Sequence, residues 1–361
     1  MITLLNGPVY IPSHVREALG QPVCDLRHPR FQSAYAFCRE TAAGLLGARD
    51  YGVVLAAGSG SFGLELAISS CITPEDSVLA LSVGTYGSRL ADVIARTGAH
   101  MRREEMAPGA DVDWPRVEAL RRQERPTYVA VTHVEPSTAT EIDLRRLGIL
   151  CRAVDASIIV DGICAGFALD VDCVRDRIAM YITASQKGLA LPPGMAVIVA
   201  SPEAVKRAMA HPEAMSGAYG QFASWLQTAP RFTPPMWHIF GMEASLRYIA
   251  QETMPAREAR HRAMAAAVAA WGRRRGLRTV APVTAPAATL TAFYYPDGLG
   301  DAWLRRLRDE RGLELAPSND PRLAGRYFRI GHLGDVPMDH LTRGLVILDD
   351  AFSERAAEVQ A

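Results

Sequence analysis

The stretch YITASQKGLALPPG, residues 181–194, decides how the rest of the chain is interpreted. Lys187 follows an apolar run and a short polar step, and it precedes leucines and a Pro-Pro-Gly turn. An ammonium group among apolar side chains loses hydration, so its pKa falls and its free amine can attack carbonyl carbon. The stretch therefore predicts Schiff-base chemistry at Lys187, although a lone lysine is more often a surface residue of a loop.

Composition favours an ordinary globular protein whose charges balance. The chain has 361 residues, of which 49% are hydrophobic, and its 39 Lys and Arg equal its 39 Asp and Glu. This length predicts one large domain and a smaller one, and the zero net charge predicts no general attraction to nucleic acid or to an anionic membrane. Any anion must therefore be bound by a local site.

Targeting and metal-binding patterns are not found in the sequence. The opening residues have no basic segment followed by a long apolar core, and no window approaches the ~20 apolar residues of a membrane helix. The six cysteines are scattered, without a Cys-x-x-Cys pair or a nearby histidine at zinc spacing. We therefore expect a cytoplasmic protein with reduced thiols and no metal site.

Between residues 51 and 201, short apolar runs alternate with amphipathic segments. The runs are VVLAA, SVLALS, TYVAVTH, SIIVD, MYITA and MAVIVAS. This alternation predicts a mainly parallel sheet that is covered by helices on both faces. Ligands of such sheets bind at the carboxyl ends of the strands, so the residues after each run are the candidate site.

A Gly/Ser loop, residues 58–63, follows the first run. Its sequence GSGSFG matches G-x-G-x-x-G, but the second run ends without the acidic residue that a dinucleotide site needs. The N–H groups and hydroxyls of Ser59, Gly60 and Ser61 instead suit a single phosphate at a helix N-terminus. A tight turn that requires glycine explains the loop about equally well.

Three further strand ends carry candidate site residues. Tyr86, in GTYG, either stacks on a flat ligand ring or packs against the protein. The polar stretch THVEPST, residues 132–138, either lines a pocket or caps a loop. Asp161 ends an apolar run, and a buried carboxylate needs an N–H or cationic partner such as a protonated pyridine nitrogen. A phosphate loop, a stacking ring, an acid and an amine at one sheet edge are together the groups that pyridoxal phosphate requires.

With these residues the chain resembles the class V aminotransferases of pyridoxal phosphate fold type I, closest to the alanine–glyoxylate and serine–pyruvate branch. The resemblance covers nearly the whole chain through the motifs NGPVYIP, GSGSFGLE, GTYG, THVEPST, VDGICA, SQKGLALPPG, RFTPP and FRIGHLGD. It implies an α/β fold with a mainly parallel seven-stranded sheet in a large domain, residues 16–250. An N-terminal arm, residues 1–15, precedes this domain, and a small C-terminal α/β domain, residues 251–361, follows it.

The resemblance also implies a role for each matched residue. Lys187 forms the aldimine with the cofactor and moves the proton at the substrate Cα, and Asp161 keeps the pyridine nitrogen protonated. Arg329 binds the substrate carboxylate through a bidentate fork that lysine cannot supply, and Gly7 is a second substrate-binding residue. The expected cofactor contacts are Ser59, Gly60, Ser61 and Gln186 at the phosphate, Tyr86 on the ring, together with Ser137 and Ile163, and Thr233 from a second subunit.

Three positions depart from the family pattern. Pro136 replaces a small hydroxyl residue near the cofactor phenolic oxygen, and Ala139 replaces a glycine. Pro230 replaces an aromatic residue three positions before Thr233. The change at Pro136 is expected to alter how the cofactor 3′-oxygen is held, and the change at Pro230 is expected to weaken one intersubunit contact to the phosphate.

The resemblance implies a transaminase that moves an amino group from a small amino acid to a 2-oxo acid such as glyoxylate or pyruvate. It also implies a homodimer with shared active sites, without a nucleic-acid or membrane partner. Other interpretations stay open, namely a lyase or an aminophosphonate transaminase of the same fold, a cysteine desulfurase, and a ligand-binding protein without catalysis. A desulfurase is disfavoured because no cysteine lies in a Gly/Ser-rich loop between residues 194 and 329.

Overall fold

The structure is a computed structural model that describes residues 1–211, 217–227 and 230–360, with side chains described to residue 354. Its strands are β1 (Ile2–Leu4), β2 (Gly52–Ala57), β3 (Ser77–Ser82), β4 (His100–Glu105), β5 (Tyr128–Thr132), β6 (Val134–Glu135), β7 (Thr140–Glu141), β8 (Ser157–Asp161), β9 (Ile178–Ala184), β10 (Met195–Ala200), β11 (Leu290–Tyr294), β12 (Leu313–Pro317) and β13 (Tyr327–Gly331). Its α-helices are α1 (Ser13–Leu19), α2 (Pro29–Leu45), α3 (Gly60–Cys71), α4 (Thr85–Ala95), α5 (Trp114–Glu124), α6 (Leu144–Arg152), α7 (Pro202–Ala210), α8 (Phe222–Trp225), α9 (Met236–Glu252), α10 (Met254–Arg274), α11 (Asp301–Arg311) and α12 (Met338–Gln360).

A seven-stranded sheet with the order β2-β10-β9-β8-β5-β3-β4 forms the centre of the fold. Strand β10 is antiparallel to both of its neighbours, and every other adjacent pair is parallel. The mainly parallel seven-stranded sheet predicted from the sequence is therefore confirmed. The carboxyl ends of β2, β3, β5, β8 and β9 lie at one edge of the sheet, which is the edge where the candidate site was predicted.

Both faces of this sheet are buried. Along β8, Ile158 packs into the core on the side of α2, α6 and α9, whereas Ile159 packs into the core on the side of α3, α4 and α7. Successive strand residues point to opposite faces, so a strand covered on both sides is apolar throughout. This explains why the inner strands read as continuous apolar runs in the sequence.

The edge strand β4 was not predicted. Its sequence, HMRREE, is mostly charged, and each of its residues is exposed or partly buried. Charged side chains on an edge strand discourage pairing with another chain, and they also remove the apolar signal by which a strand is recognised. Helix α5, which follows β4, was likewise not predicted.

A second sheet, with the order β1-β12-β13-β11, packs against α10, α11 and α12. Strand β13 carries Arg329, and it is antiparallel to both β11 and β12. Residues 2–4, expected in an extended arm, form β1 and pair in parallel with β12. The N-terminus is thus tied to the same sheet as Arg329, while the domain boundaries at residues 15 and 250 stay a prediction.

Across the described ranges, none of the helices combines the length and the apolar character needed to cross a membrane.

Candidate active site

The Gly/Ser loop is placed at the carboxyl edge of the large sheet. Ser59 caps α3, since its hydroxyl accepts a hydrogen bond from the Phe62 N–H at 3.2 Å. Gly60 packs so closely on Ile163 that an added Cβ would lie 2.6 Å from the Ile163 Cδ1. The first N–H groups of a helix have no partner within the helix, so the start of α3 is suited to an anion. Ser61, the next residue, is exposed.

Asp161 lies at the end of β8 and is 2% exposed. Its Oδ1 accepts a hydrogen bond from the Ile163 N–H at 3.0 Å. Burial raises the pKa of Asp161 to about 7, although the Ile163 N–H bond opposes this shift. The nearby charge of Glu135 raises this pKa further, and that of Lys187 lowers it. Among the described residues no cationic side chain hydrogen-bonds this carboxyl, so the charge of Lys187 only partly offsets the effect of burial.

Lys187 follows β9 and directs its amine to residues from two distant parts of the chain. Its Nζ donates to the Asn6 carbonyl at 2.5 Å and to the Cys164 Sγ at 3.3 Å. Gly7 lies directly against this side chain, because an added Cβ there would be 2.5 Å from Nζ. Gly7 also has a φ of +127°, which side-chain-bearing residues rarely adopt. The N-terminal segment thus forms one wall of the space around the amine.

Tyr86 is positioned by a fully buried carboxyl. Glu135 is 0% exposed and accepts hydrogen bonds from the N–H groups of Tyr86 and Gly87 at the start of α4. Ser137 completes this cap, since its Oγ donates to Glu135 at 2.5 Å and accepts from the Thr85 N–H at 3.0 Å. Burial raises the pKa of Glu135, and the hydrogen bonds from α4 and Ser137 oppose that shift. The cap fixes the helix turn that presents the Tyr86 ring.

Arg329 enters the same region from β13 and is 6% exposed. Its Nε and Nη2 donate to the Pro317 carbonyl at 3.0 and 2.7 Å, and its Nη1 donates to the Pro136 carbonyl at 3.0 Å. A guanidinium has five N–H groups, so these bonds leave one on each terminal nitrogen. Two parallel N–H groups match the two oxygens of a carboxylate. Pro136, whose ring has no hydroxyl to offer, holds Arg329 through its backbone.

The structure brings together most of the predicted site residues. Gly60 and Ile163 join the Gly/Ser loop to the Asp161 turn, Cys164 joins that turn to Lys187, and Pro136 joins the Glu135 segment to Arg329. Gln186 lies next to Lys187, and its Oε1 is buried with no hydrogen-bond partner in the part of the chain that the structure describes.

Thr233 is separate from this group within the single chain. It is exposed, and its neighbour Phe232 packs on Tyr219 with ring centroids 5.2 Å apart. Tyr219 in turn lies 5.4 Å from the ring of Phe62, which belongs to the Gly/Ser loop. The exposed Thr233 therefore belongs to a segment that approaches the Gly/Ser loop side of the molecule.

The sequence did not single out several contacts of this site. The Asn6 carbonyl and the Pro136 carbonyl are backbone acceptors, which leave no residue-type signal. Cys164 was considered only as a buried thiol, and Glu135 only as part of a polar stretch. The acidic residue after a buried strand was the one available signal for Glu135, because a buried carboxyl must find N–H donors.

A charged cavity of about 830 Å³ lies apart from this group. His133 is the one residue of the polar stretch 132–138 that lines it, among acidic and basic side chains from α6 and α10. Burial lowers the pKa of His133 to about 4, so its imidazole is neutral near pH 7. The polar stretch therefore both lines a cavity, at His133, and caps α4, at Glu135 and Ser137.

The fold and the grouped residues define a pyridoxal-phosphate-dependent enzyme of fold type I. The structure superposes on pyridoxamine–pyruvate aminotransferase from Mesorhizobium loti with a TM-score of 0.92, at 27% identity, covering 98% of this chain and 92% of that one. It superposes on ureidoglycine–glyoxylate aminotransferase from Bacillus subtilis with a TM-score of 0.90, at 25% identity, covering 98% and 93%.

Residues 22–315 match the family model described as aminotransferase class-V, and the chain belongs to that family. It is 29% identical to the L-aspartate–glyoxylate aminotransferase of Paracoccus denitrificans over 99% of this chain and 92% of that protein. The resemblance inferred from the sequence is confirmed, and the protein is a pyridoxal-phosphate-dependent aminotransferase.

The side chains present fit this cofactor. The start of α3 and the unpartnered amide of Gln186 suit a phosphate, and a glutamine amide can turn to present either its oxygen or its nitrogen. Asp161 is a buried acid with a single N–H donor, which leaves an oxygen for a ring nitrogen. Gly60 and Gly7 keep the backbone free of a Cβ on two sides of this space.

Proposed function

We propose that this chain transfers the amino group of a small amino acid to a 2-oxo acid such as glyoxylate or pyruvate, with Lys187 and Arg329 as its principal catalytic and binding residues. The observation that carries the proposal is the Arg329 guanidinium, which is buried and held by two carbonyls, yet keeps an N–H on each terminal nitrogen. Named relatives that use glyoxylate or pyruvate as acceptor support this choice of substrates.

In this proposal each residue has a separate task. Pyridoxal phosphate, when bound, supplies an electron sink for the bonds at the substrate Cα. Arg329 binds the substrate carboxylate and so orients the Cα toward the Lys187 amine. The Lys187 Nζ would move the proton between the substrate Cα and the cofactor C4′. Asn6 and Cys164 hold the amine between these two proton transfers.

Asp161 holds a proton at the pyridine nitrogen in this proposal. Its carboxylate is the acceptor for that N–H, and the low-dielectric surroundings that raise its pKa also strengthen such a pair. Tyr86 covers one face of the ring, and Ser59, Gly60, Ser61 and Gln186 bind the phosphate. Ser137 holds the α4 turn that carries Tyr86, and Ile163 packs beneath Gly60.

The assembly and the location are part of the same proposal. We place Thr233 at the phosphate of a second copy of the chain, because its side chain is exposed while its segment packs beside the Gly/Ser loop. A homodimer with shared sites would bury it. All six cysteines are free thiols, five of them buried, which supports a reducing compartment such as the cytoplasm.

The test uses an unusual feature of the composition, namely that Lys187 and Lys206 are the only two lysines in the chain. Borohydride reduction of the protein with its cofactor, followed by peptide mapping, is expected to mark Lys187 alone. Lys187→Ala should abolish both the mark and turnover, and Lys206→Ala, at an exposed position of α7, should change neither. Turnover by Lys187→Ala would refute the proposal.

Substrates are identified by a panel of amino donors against glyoxylate and pyruvate, with formation of the new amino acid as the readout. The panel includes 2-aminoethylphosphonate, because a relative at 27% identity carries the name 2-aminoethylphosphonate–pyruvate transaminase and an arginine fork also suits a phosphonate. Release of ammonia without amino transfer would instead identify a lyase.

A further inference from the structure

Arg257, in the first turns of α10, has a fully buried side chain with polar partners on every side. Its Nε donates to the Phe167 carbonyl at 2.6 Å, and its Nη2 donates to the Gly188 carbonyl at 2.9 Å. Its Nη1 pairs with Glu252 and Asp335, each at 2.7 Å. Removing a charge from water costs several kcal/mol unless the charge is paired and hydrogen-bonded. The buried guanidinium of Arg257 therefore requires these partners.

Both carbonyl partners belong to segments that carry proposed active-site residues. Gly188 directly follows Lys187, so Arg257 is hydrogen-bonded to the backbone beside the residue that carries the reactive amine. Phe167 lies in the series of turns that follows Asp161, and it has a φ of +60°, a strained value for a residue with a side chain. The guanidinium thus holds the lysine loop and the strained turn at a fixed separation.

One of the two carboxylate partners, Asp335, connects the same guanidinium to the strand of Arg329. Asp335 lies in the loop that follows β13, and the preceding residue, Gly334, accepts a bond from Arg260 and donates one to His261, both at 3.1 Å. Gly334 also packs on the lysine loop, because an added Cβ would lie 3.2 Å from the Lys187 carbonyl oxygen. The loops after Lys187 and after Arg329 are therefore both attached to α10.

We propose that Arg257 is a positioning residue that sets the distance between the Lys187 amine and the Arg329 fork. This inference rests on the proposed function, in which one substrate must reach both groups. A planar guanidinium bonds two carbonyls and two carboxylates at once, whereas a lysine ammonium is a single point with three donors and cannot span them. A misplacement of about 1 Å is enough to lower the rate of an enzyme about 100-fold.

The test compares Arg257→Lys with Arg262→Lys in the protein loaded with cofactor. Arg262 lies on the same helix and also makes two charge-assisted contacts, to Glu141 and Glu258, and its side chain is 47% exposed, so it controls for the loss of an arginine ion pair outside the buried network. We expect Arg257→Lys to lower kcat at least tenfold and to shift the pH dependence of the bound cofactor's visible absorbance, and Arg262→Lys to leave both within about twofold of wild type. Equal effects of the two substitutions would overturn the inference.

Asp335→Asn provides a second measurement if Arg257→Lys does not fold. This variant keeps both carbonyl contacts of Arg257 and weakens the contacts of Arg257 and Arg260 to Asp335, in the loop after β13. We expect the KM for the amino acid to rise about tenfold with a smaller change in kcat, and an unchanged KM would overturn the inference. Absence of the visible absorbance band in the wild-type protein would instead refute the proposed function itself, which separates the two failures.

Discussion

Replacement of Asp161 by asparagine is expected to stabilise the chain while it inactivates the enzyme. In the folded chain, burial raises the pKa of Asp161 from 3.8 to about 7. Because the folded pKa lies above the unfolded one, the protonated carboxyl contributes stability that is complete below about pH 4 and is lost as the pH rises through about 7. One pKa unit corresponds to about 1.4 kcal/mol, so the loss has an upper bound of ~4 kcal/mol.

The asparagine side chain of the Asp161→Asn variant is uncharged at every pH, so the variant does not show this loss of stability. Its side-chain oxygen can still accept the Ile163 N–H, but the new amide N–H lacks a partner, at a cost of ~1–3 kcal/mol. At pH 8 the net result is a free energy of unfolding ~1–3 kcal/mol higher than that of wild type, and at pH 5 the difference vanishes or reverses. Activity falls by about 100-fold or more, because the acceptor for the pyridine N–H is weakened.

The assay is urea unfolding of the protein stripped of its cofactor, at pH 5 and pH 8, for wild type, Asp161→Asn and Asp350→Asn. Asp350 is an exposed residue of α12, so its substitution controls for a general change in charge. If the difference in free energy of unfolding between Asp161→Asn and wild type is the same at both pH values, or if Asp161→Asn is the less stable protein at pH 8, then burial of this carboxyl does not govern its pKa and the reasoning is wrong.

Three further substitutions test separate parts of the site. Arg329→Lys should raise the KM for the amino donor about 10- to 100-fold and leave cofactor absorbance unchanged, since a lysine cannot replace the fork; an unchanged KM would contradict the carboxylate assignment. Gly7→Ala should slow covalent cofactor attachment, measured by the growth of visible absorbance, because its Cβ would lie 2.5 Å from the Lys187 Nζ. Glu135→Gln should weaken cofactor binding in equilibrium dialysis, since its amide N–H₂ would face the N–H donors of α4; wild-type affinity would show that the cap does not position Tyr86.

The sequence was sufficient for the large sheet because its inner strands are buried on both faces. Strands β5, β8, β9 and β10 are short apolar runs, α6 lies between β5 and β8, and α7 follows β10, and this pattern has few alternative interpretations. The same reasoning fails at the sheet edge, where β4 is charged and partly exposed. It also fails for β1, whose partner β12 lies about 310 residues away, a pairing that no local pattern reveals.

The candidate site could be predicted from the sequence only where side chains, and not backbone groups, make it up. Lys187 and Asp161 were predicted because each residue type suits a step of the chemistry, and Arg329 was predicted because FRIGHLGD matches a motif of the family that the chain resembles. The contacts that hold Lys187 and Arg329 in place are mostly hydrogen bonds to backbone carbonyls. Lys187 bonds the Asn6 carbonyl, and Arg329 bonds the carbonyls of Pro136 and Pro317, and every residue has a carbonyl. Only the fold decides which carbonyl is presented.

The site contains several charged side chains whose burial is unfavourable. Burial raises the pKa of both Asp161 and Glu135, and it lowers the pKa of Arg329, so three charges sit where water cannot stabilise them well. Glu135 is compensated by helix N–H groups within the chain, whereas Asp161 and Arg329 each keep bonding capacity that the chain leaves unused. In the proposed function, a pyridinium ring and a substrate carboxylate would bring the opposite charges to those two groups. Binding would then relieve a cost that folding imposes, and the two residues that destabilise the protein alone would be the ones that select its ligands.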